Sequence, residues 1–170
     1  QQWTEASLTG GARSPLLPFR ALFLPLSPVL RLAIARREAE WIAGTVAELT
    51  ATGGRGSATP VAQEPARLKI GYVSADFREH PTAHLMRSLF RCHDRRRFEI
   101  YVYSLHGDDG SAYYRQIRDD SDQFVDLSSM ENAAAVRRIQ TDEVSILVDL
   151  MAYTNFARPE IFALRPAPIQ

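Results

Sequence analysis

The segment His80-Pro81-Thr82 contains the residue best suited to chemistry, because an imidazole can accept a proton or donate a hydrogen bond near neutral pH. Pro81 is a natural first residue of a helix, which makes His80 the residue that caps it. A helix N-terminus carries about half a positive charge, which disfavours imidazolium and keeps a histidine there neutral. From the residues alone, His80 is either a functional group at the mouth of a crevice or only a helix cap.

A metal site is a second chemistry to consider, because His84 lies one helical turn beyond His80. Zinc sites need three or four protein ligands, and the zinc-protease motif has Glu where this sequence has Pro81. No third ligand is evident, and the single cysteine, Cys92, provides no cysteine-based site. We therefore expect no metal.

Asp108 and Asp109 resemble a carboxylate pair that does acid–base work, as in glycoside hydrolysis. They stand next to Gly110 and Ser111, however, and this combination is more typical of a turn followed by a helix cap. We predict the turn. The sequence also lacks the glycine motifs that cradle phosphates, which disfavours a self-contained nucleotide-binding domain and leaves no cofactor-binding residue to assign.

The apolar segment that contains Asp149 is followed by further polar residues. A charge in such a segment needs a partner, so we expect Asp149 to hold a neighbouring loop amide. Tyr153, Thr154 and Arg158 come next and either line a crevice or serve in packing and capping. Of these, Tyr153 and Thr154, together with Thr82, are the candidate substrate-binding residues.

The elements that must position these residues alternate along the chain. Apolar runs predict strands and three- to four-residue spacings predict helices, in an alternating order that indicates a parallel, helix-covered α/β sheet. Ligands bind beyond the carboxyl ends of such strands, which selects the loops 74–82, 106–110 and 151–155. The predicted strands are 68–73, 98–105, 123–127 and 146–150, and the predicted helices are 81–90, 113–118, 132–141 and 159–164.

Three regions are predicted along the chain. Residues 1–49 form a lead-in, irregular to residue 26 and then helical from Pro28 with Ser27 as its cap. Residues 50–66 have almost no large apolar side chain and form a flexible linker. Residues 67–170 form the α/β lobe. Because the chain starts at Gln1 rather than Met and stops at the approach to another strand, we expect it to be truncated at both ends.

The composition limits the kinds of binding partner that we expect for this protein. The 20 basic and 20 acidic residues balance, so nothing suggests a surface that gathers nucleic acid or anionic membrane. The apolar segment 16–34 is interrupted by Arg20, Arg31 and prolines, and a membrane span needs about 20 mostly apolar residues without charge. One cysteine cannot form an internal disulfide, which favours a reducing compartment, and we expect a cytoplasmic protein.

The motifs at these loops resemble the protein O-GlcNAc transferase family, which includes the SPINDLY-like glycosyltransferases. The resemblance covers about 67–170 and falls on the amino-terminal part of the catalytic region, while 14–48 resemble the helical segment that joins the family's tetratricopeptide repeats to it. The closing segment is the most specific. The matching stretches are RLKIGYVSADF (67–77), HPT (80–82), DDG (108–110), ILVDL (146–150) and ARPEIFALRPAPIQ (157–170).

The resemblance implies a Rossmann-like lobe of a two-lobed, GT-B type glycosyltransferase. Family members transfer N-acetylglucosamine from UDP-GlcNAc to Ser or Thr hydroxyls of proteins, with inversion and without a metal. The protein acceptor would lie across the cleft, and the sugar nucleotide would be held mainly by a second lobe that is absent from this sequence. The family's His-Pro-Thr histidine, proposed for the acceptor side, maps onto His80, which becomes the catalytic candidate, and His84 becomes a supporting residue.

Some positions depart from the family pattern. Ala152 replaces a glycine that usually precedes Tyr-Thr, which restricts the backbone if that glycine has a positive φ. Arg137 and Gln140 stand where animal members have acidic and histidine side chains, so roles at those positions are not carried over. The alternatives are a protein O-fucosyltransferase or N-glycosyltransferase of the same family, or a non-catalytic lobe that serves as an interaction platform.

Overall fold

The computed structural model describes residues 13–53 and 67–170. These residues form two compact units, divided between Gly54 and Arg55. The predicted linker and the predicted irregular start fall partly outside the described residues, at 54–66 and 1–12. Within the part of the chain that the structure describes, no helix has the length and apolarity to cross a membrane.

The first unit consists of helices α1 (Pro18–Ala21) and α2 (Pro28–Gly53). The Ser27 hydroxyl accepts a hydrogen bond from the Leu30 amide at 3.2 Å, which confirms Ser27 as the cap of α2. Helix α2 continues to Gly53, beyond the predicted end at residue 49, and α1 interrupts the predicted irregular lead-in.

The second unit contains a four-stranded parallel sheet in the order β3-β2-β1-β4, which confirms the predicted fold class. A short 3-10 turn, Phe90–Cys92, follows the first helix of this unit. The strands are β1 (Leu68–Ser74), β2 (Phe98–Ser104), β3 (Gln123–Asp126) and β4 (Ile146–Asp149), and the helices are α3 (Pro81–Met86), α4 (Ala112–Asp119), α5 (Asn132–Thr141) and α6 (Pro159–Ala163).

The sheet has an apolar core on each face, as expected for strands that are apolar throughout. One core includes Val73, Tyr103 and Leu147 with side chains of α5 and α6, and the other includes Ile100 and Phe77 with side chains of α3 and α4. Both faces are therefore covered, and polar chemistry is confined to the sheet edges and the loops.

Helix α3 ends at Met86, earlier than the predicted end at Phe90. The chain tightens into the 3-10 turn because Phe90 faces inward, where it is fully buried. Its ring centroid lies 5.5 Å from that of Tyr72 and 5.7 Å from that of Phe77, both in edge-to-face geometry. Packing of one aromatic residue thus overrides helix continuation.

Candidate functional site

The strand order places the topological switch of the sheet at β1, since β2 lies on one side of it and β4 on the other. Crevices in open α/β sheets form at the carboxyl ends of the strands flanking such a switch. Two predicted loops begin there: the β1–α3 loop with His80, and the β4–α6 loop with Tyr153 and Thr154.

His80 is the N-cap of α3, as predicted. Its backbone is extended (φ −150°, ψ 149°), and its Nδ1 accepts a hydrogen bond from the Thr82 amide at 3.2 Å. The Thr82 hydroxyl oxygen is also 3.2 Å from Nδ1. Thr82 therefore contacts the His80 ring and holds its orientation.

A carboxylate lies beside the same ring nitrogen. Asp76 Oδ2 is 3.4 Å from His80 Nδ1, and Asp76 Oδ1 is 3.5 Å from Nη2 of Arg78. The Asp76 amide donates to the Ser74 hydroxyl at 3.0 Å, which fixes the backbone of Asp76 at the end of β1. Asp76 is buried, whereas about a third of the His80 side chain (34 %) is exposed, so the imidazole bridges an internal charge and the surface.

An open cleft of about 480 Å³ lies beside His80, between the start of α3 and helix α4. His84 Nδ1 is 3.1 Å from the Tyr113 hydroxyl, and the two rings meet edge to face. The contact joins α3 to α4 and holds one wall of the cleft. The lining residues are Glu79, His80, Pro81, His84, Leu85 and Tyr113.

The arrangement of His84 bears on the metal alternative. Its Nδ1 is engaged by a phenol hydroxyl. Across 13–53 and 67–170, no three His, Cys, Asp or Glu side chains are grouped as metal ligands.

The acidic pair of the β2–α4 loop forms the predicted turn. Asp108 Oδ1 accepts from the Gly110 amide at 2.8 Å, and Gly110 has a φ of 71°, which glycine tolerates. Ser111 is the cap of α4, because its hydroxyl accepts from the Tyr114 amide at 3.1 Å. These two acidic residues thus do not form an acid–base pair.

Asp109 makes a contact that the sequence pattern does not reveal. Its Oδ2 accepts a hydrogen bond from the Glu79 amide at 2.8 Å, and its Oδ1 accepts from the Ser111 amide at 3.0 Å. Burial raises the pKa of Asp109, but hydrogen bonds from the Glu79 amide and from Ser111 outweigh that effect and hold the pKa below its ordinary value. The carboxylate joins two loops at the carboxyl edge of the sheet.

The β4–α6 loop begins with Asp149, whose Oδ1 accepts from the amides of Met151 at 2.8 Å and Ala152 at 3.1 Å. This confirms that Asp149 holds a loop amide, although its side chain is exposed rather than buried. Ala152 has a φ of 48°, in the left-handed region. The glycine that the family pattern places here would adopt that conformation without strain.

Neither of the two remaining candidates of this loop, Tyr153 and Thr154, lines the cleft beside His80. The buried Met151 sulfur receives a hydrogen bond from the Ser74 hydroxyl at 3.1 Å and lies 3.8 Å from the Thr154 hydroxyl. Tyr153 is half-buried. Thr82, which orients His80, also lies outside the cleft lining.

Arg158 has a structural role. Its guanidinium donates to the Asn132 side chain at 2.7 Å and to the backbone carbonyls of Leu127 at 3.0 Å and Met130 at 2.6 Å. Burial lowers the pKa of Arg158. Of the two roles considered for Arg158, the contacts support packing and capping, which tie the β4–α6 loop to the start of α5.

The sequence model that describes glycosyl transferase family 41 matches residues 9–170, nearly the whole chain. The chain belongs to this family. The match confirms the resemblance and covers both the helical lead-in and the α/β lobe, as the sequence predicted.

Three relatives illustrate the membership in family 41. The chain is 40 % identical over 158 residues to the probable UDP-N-acetylglucosamine–peptide N-acetylglucosaminyltransferase SEC of Arabidopsis thaliana, covering 90 % of this chain and 16 % of that protein. It is 41 % identical over 161 residues to the UDP-N-acetylglucosamine–peptide N-acetylglucosaminyltransferase of Caenorhabditis elegans, covering 90 % of this chain and 14 % of that protein.

The third relative is a solved structure of an O-GlcNAc transferase variant from Thermobaculum terrenum, with a TM-score of 0.61 and 27 % sequence identity. The superposition covers 82 % of this chain and 31 % of that one. The family 41 chain described here therefore spans less than a third of the length of each of these three relatives.

Proposed function

We propose that this chain forms the acceptor-side lobe of a glycosyltransferase that transfers N-acetylglucosamine from UDP-GlcNAc to Ser or Thr hydroxyls of proteins. Membership in family 41 and the names of the Arabidopsis and Caenorhabditis relatives support this reaction. The observation that carries the proposal is His80, which caps a helix beside an open cleft at the carboxyl edge of the sheet.

The reaction requires the acceptor oxygen to lose its proton as it attacks the anomeric carbon. His80 Nδ1 accepts from the Thr82 amide, so the hydrogen of the neutral ring resides on Nε2. In this tautomer His80 Nε2–H donates a hydrogen bond to the acceptor oxygen and orients it for attack, and the hydroxyl proton passes to an oxygen of the leaving diphosphate rather than to His80. Proton acceptance at Nε2 would need the ring hydrogen on Nδ1, where the Asp76 carboxylate, 3.4 Å away, would hold it.

The two tautomers predict different effects of replacing Asp76 by Asn. If His80 orients the acceptor through Nε2–H, the variant retains most of its kcat, because Thr82 still fixes the ring. If His80 is the base, the Asp76→Asn variant loses most of its kcat, since the tautomer with a free Nε2 loses its carboxylate partner. We expect the first result.

The donor side of the reaction is assigned to a second lobe. The leaving diphosphate needs positive charge or hydrogen-bond donors, and the loops of this chain contain no phosphate-cradling glycine motif. We propose that the second lobe holds UDP-GlcNAc, that transfer inverts the anomeric centre, and that no metal takes part. The proposed partners are thus a protein acceptor and a sugar nucleotide, in the cytoplasm.

The test uses the full-length protein with UDP-GlcNAc and Ser- or Thr-containing peptides. We expect transfer of N-acetylglucosamine, a β-linked product by NMR, and an unchanged rate with a chelator. Transfer from GDP-fucose in place of UDP-GlcNAc would contradict the proposed donor. The 170-residue chain alone should bind UDP poorly in calorimetry, and tight, stoichiometric binding would contradict the assignment of the donor to a second lobe.

A further inference from the structure

We propose that Asp109 is a positioning residue for His80, which sets where the imidazole stands relative to the opposite wall of the cleft. This inference rests on the proposed function, since it names a further residue of the same site. Asp109 lies 30 residues from Glu79 in the chain, yet its Oδ2 accepts the Glu79 amide at 2.8 Å. Glu79 immediately precedes His80, so the bond fixes the backbone of the residue before the helix cap.

The carboxylate is fixed at both oxygens. Its second oxygen, Oδ1, accepts from the Ser111 amide at 3.0 Å, and Ser111 caps α4. Asp109 thereby ties Glu79, which precedes the cap of α3, to Ser111, the cap of α4. The cleft lies between these helices, with Glu79 and His80 on one side and Tyr113 of α4 on the other.

Thr82 and Asp109 constrain different parts of the site geometry. Thr82 belongs to α3 and sets the direction of the His80 ring relative to that helix. Asp109 belongs to the neighbouring loop and sets the distance between the starts of α3 and α4. The His84–Tyr113 contact joins the same two helices, one turn further along α3. A hydroxyl bound against α4 would meet Nε2 only when both constraints hold.

The negative charge of Asp109 also supports its role as a positioning residue. A carboxylate that accepts two amide hydrogens forms stronger bonds than a neutral acceptor. The hydrogen bonds that lower the pKa of Asp109 keep this residue ionised throughout the neutral range.

Asp108 is a matched control, because it is the adjacent residue, also an aspartate and also exposed. Its Oδ1 accepts from the Gly110 amide within its own turn, and among the described residues it forms no hydrogen bond or ion pair with the β1–α3 loop. Replacing Asp108 by Ala therefore removes the same carboxylate and one turn bond but leaves the tether to Glu79.

The experiment compares Asp109→Ala, Asp109→Asn and Asp108→Ala in the full-length protein, after circular dichroism has verified folding. Kinetics with UDP-GlcNAc and a peptide give kcat and both KM values. In parallel, ¹⁵N NMR of the isotopically labelled protein follows the Glu79 amide and the His80 ring nitrogens. Displacing a reacting group by about 1 Å costs up to about 100-fold in rate.

We expect Asp109→Ala to lower kcat by about 10- to 100-fold with an unchanged KM for UDP-GlcNAc. Its Glu79 amide should exchange faster and its His80 ring signals should shift. Asp109→Asn should recover part of the rate, because its amide oxygen still accepts from Glu79, and Asp108→Ala should resemble the wild type in every readout.

Equal kcat values for Asp109→Ala and Asp108→Ala would overturn the inference, as would an unchanged Glu79 amide in Asp109→Ala. A wild-type protein that transfers no sugar would instead refute the proposed function, whereas the NMR comparison would still decide whether Asp109 positions His80.

Discussion

Tyr103 on β2 fills the space that a side chain at Gly71 on β1 would occupy, so a Cβ atom at position 71 would lie 2.9 Å from the ring carbon Cε2 of Tyr103. The Tyr103 hydroxyl donates to Asp142 Oδ2 at 2.9 Å, and this bond to the residue that caps the carboxyl end of α5 holds the ring across the glycine. A glycine in a strand interior is explained here by close approach of a neighbouring ring.

Gly71→Ala should destabilise the sheet by about 1–3 kcal/mol, because the new methyl group overpacks against Tyr103 and also against Leu147 Cδ1 at 2.9 Å. Urea denaturation measures the free energy of unfolding. Gly107→Ala is the control, since a Cβ there would lie 3.7 Å from the Ser128 hydroxyl, an ordinary contact. Equal stability of the two variants would show that Tyr103 does not require the glycine.

Ala152→Gly should raise the free energy of unfolding by up to about 1 kcal/mol. The left-handed backbone at φ 48° costs a residue with a Cβ about 1–2 kcal/mol, and the greater unfolded-chain entropy of glycine offsets part of the gain. Ala134→Gly, inside α5, should lose about 1 kcal/mol instead. Thermal unfolding distinguishes the two, and a loss of stability at both positions would argue against strain at Ala152.

Stability should fall as the pH rises from about 10 towards 12. Burial raises the pKa of Tyr101 to about 12, with a further contribution from Glu99, and burial raises the pKa of Tyr103 as well, with Asp142 adding to it. Because the pKa of each tyrosine is higher in the folded state, the neutral phenols contribute their full stabilisation of the fold below the unfolded pKa of about 10. This contribution is lost as the pH rises above that value.

Tyr103→Phe removes one of these titrations, so the dependence of unfolding free energy on pH should be shallower in this variant than in the wild type. Denaturation in urea at a series of alkaline pH values measures both slopes. Identical slopes would mean that the pKa of the Tyr103 hydroxyl is no higher in the folded chain than in the unfolded chain.

Local sequence was sufficient for much of the site. The buried strand before the loop and Pro81 after it predicted His80 as a helix cap, and the structure confirms that position. Alternating apolar segments predicted the parallel sheet. The sequence left the sign of φ at position 152 open, and the structure shows that Ala152 is left-handed. These features depend on short stretches of chain or on the pattern of a family.

Contacts between distant loops were not predictable in this way. Asp109 was correctly assigned to a turn, but the direction of its carboxylate towards Glu79 depends on how two loops meet at the sheet edge. The early end of α3 depends on the burial of Phe90 against rings of β1 and its loop. The sequence did not distinguish crevice lining from packing and capping for Arg158, because its three hydrogen-bond acceptors lie on a distant part of the chain.

The catalytic role of His80 is the central claim, and the turnover number of His80→Ala tests it most directly. The measurement uses the full-length protein with UDP-GlcNAc and a peptide acceptor, with His84→Ala as the control because His84 contacts Tyr113 in the same cleft. We predict that His80→Ala loses at least about 100-fold in kcat with unchanged affinity for UDP, and that His84→Ala loses much less. An undiminished kcat in His80→Ala would remove this histidine from the mechanism.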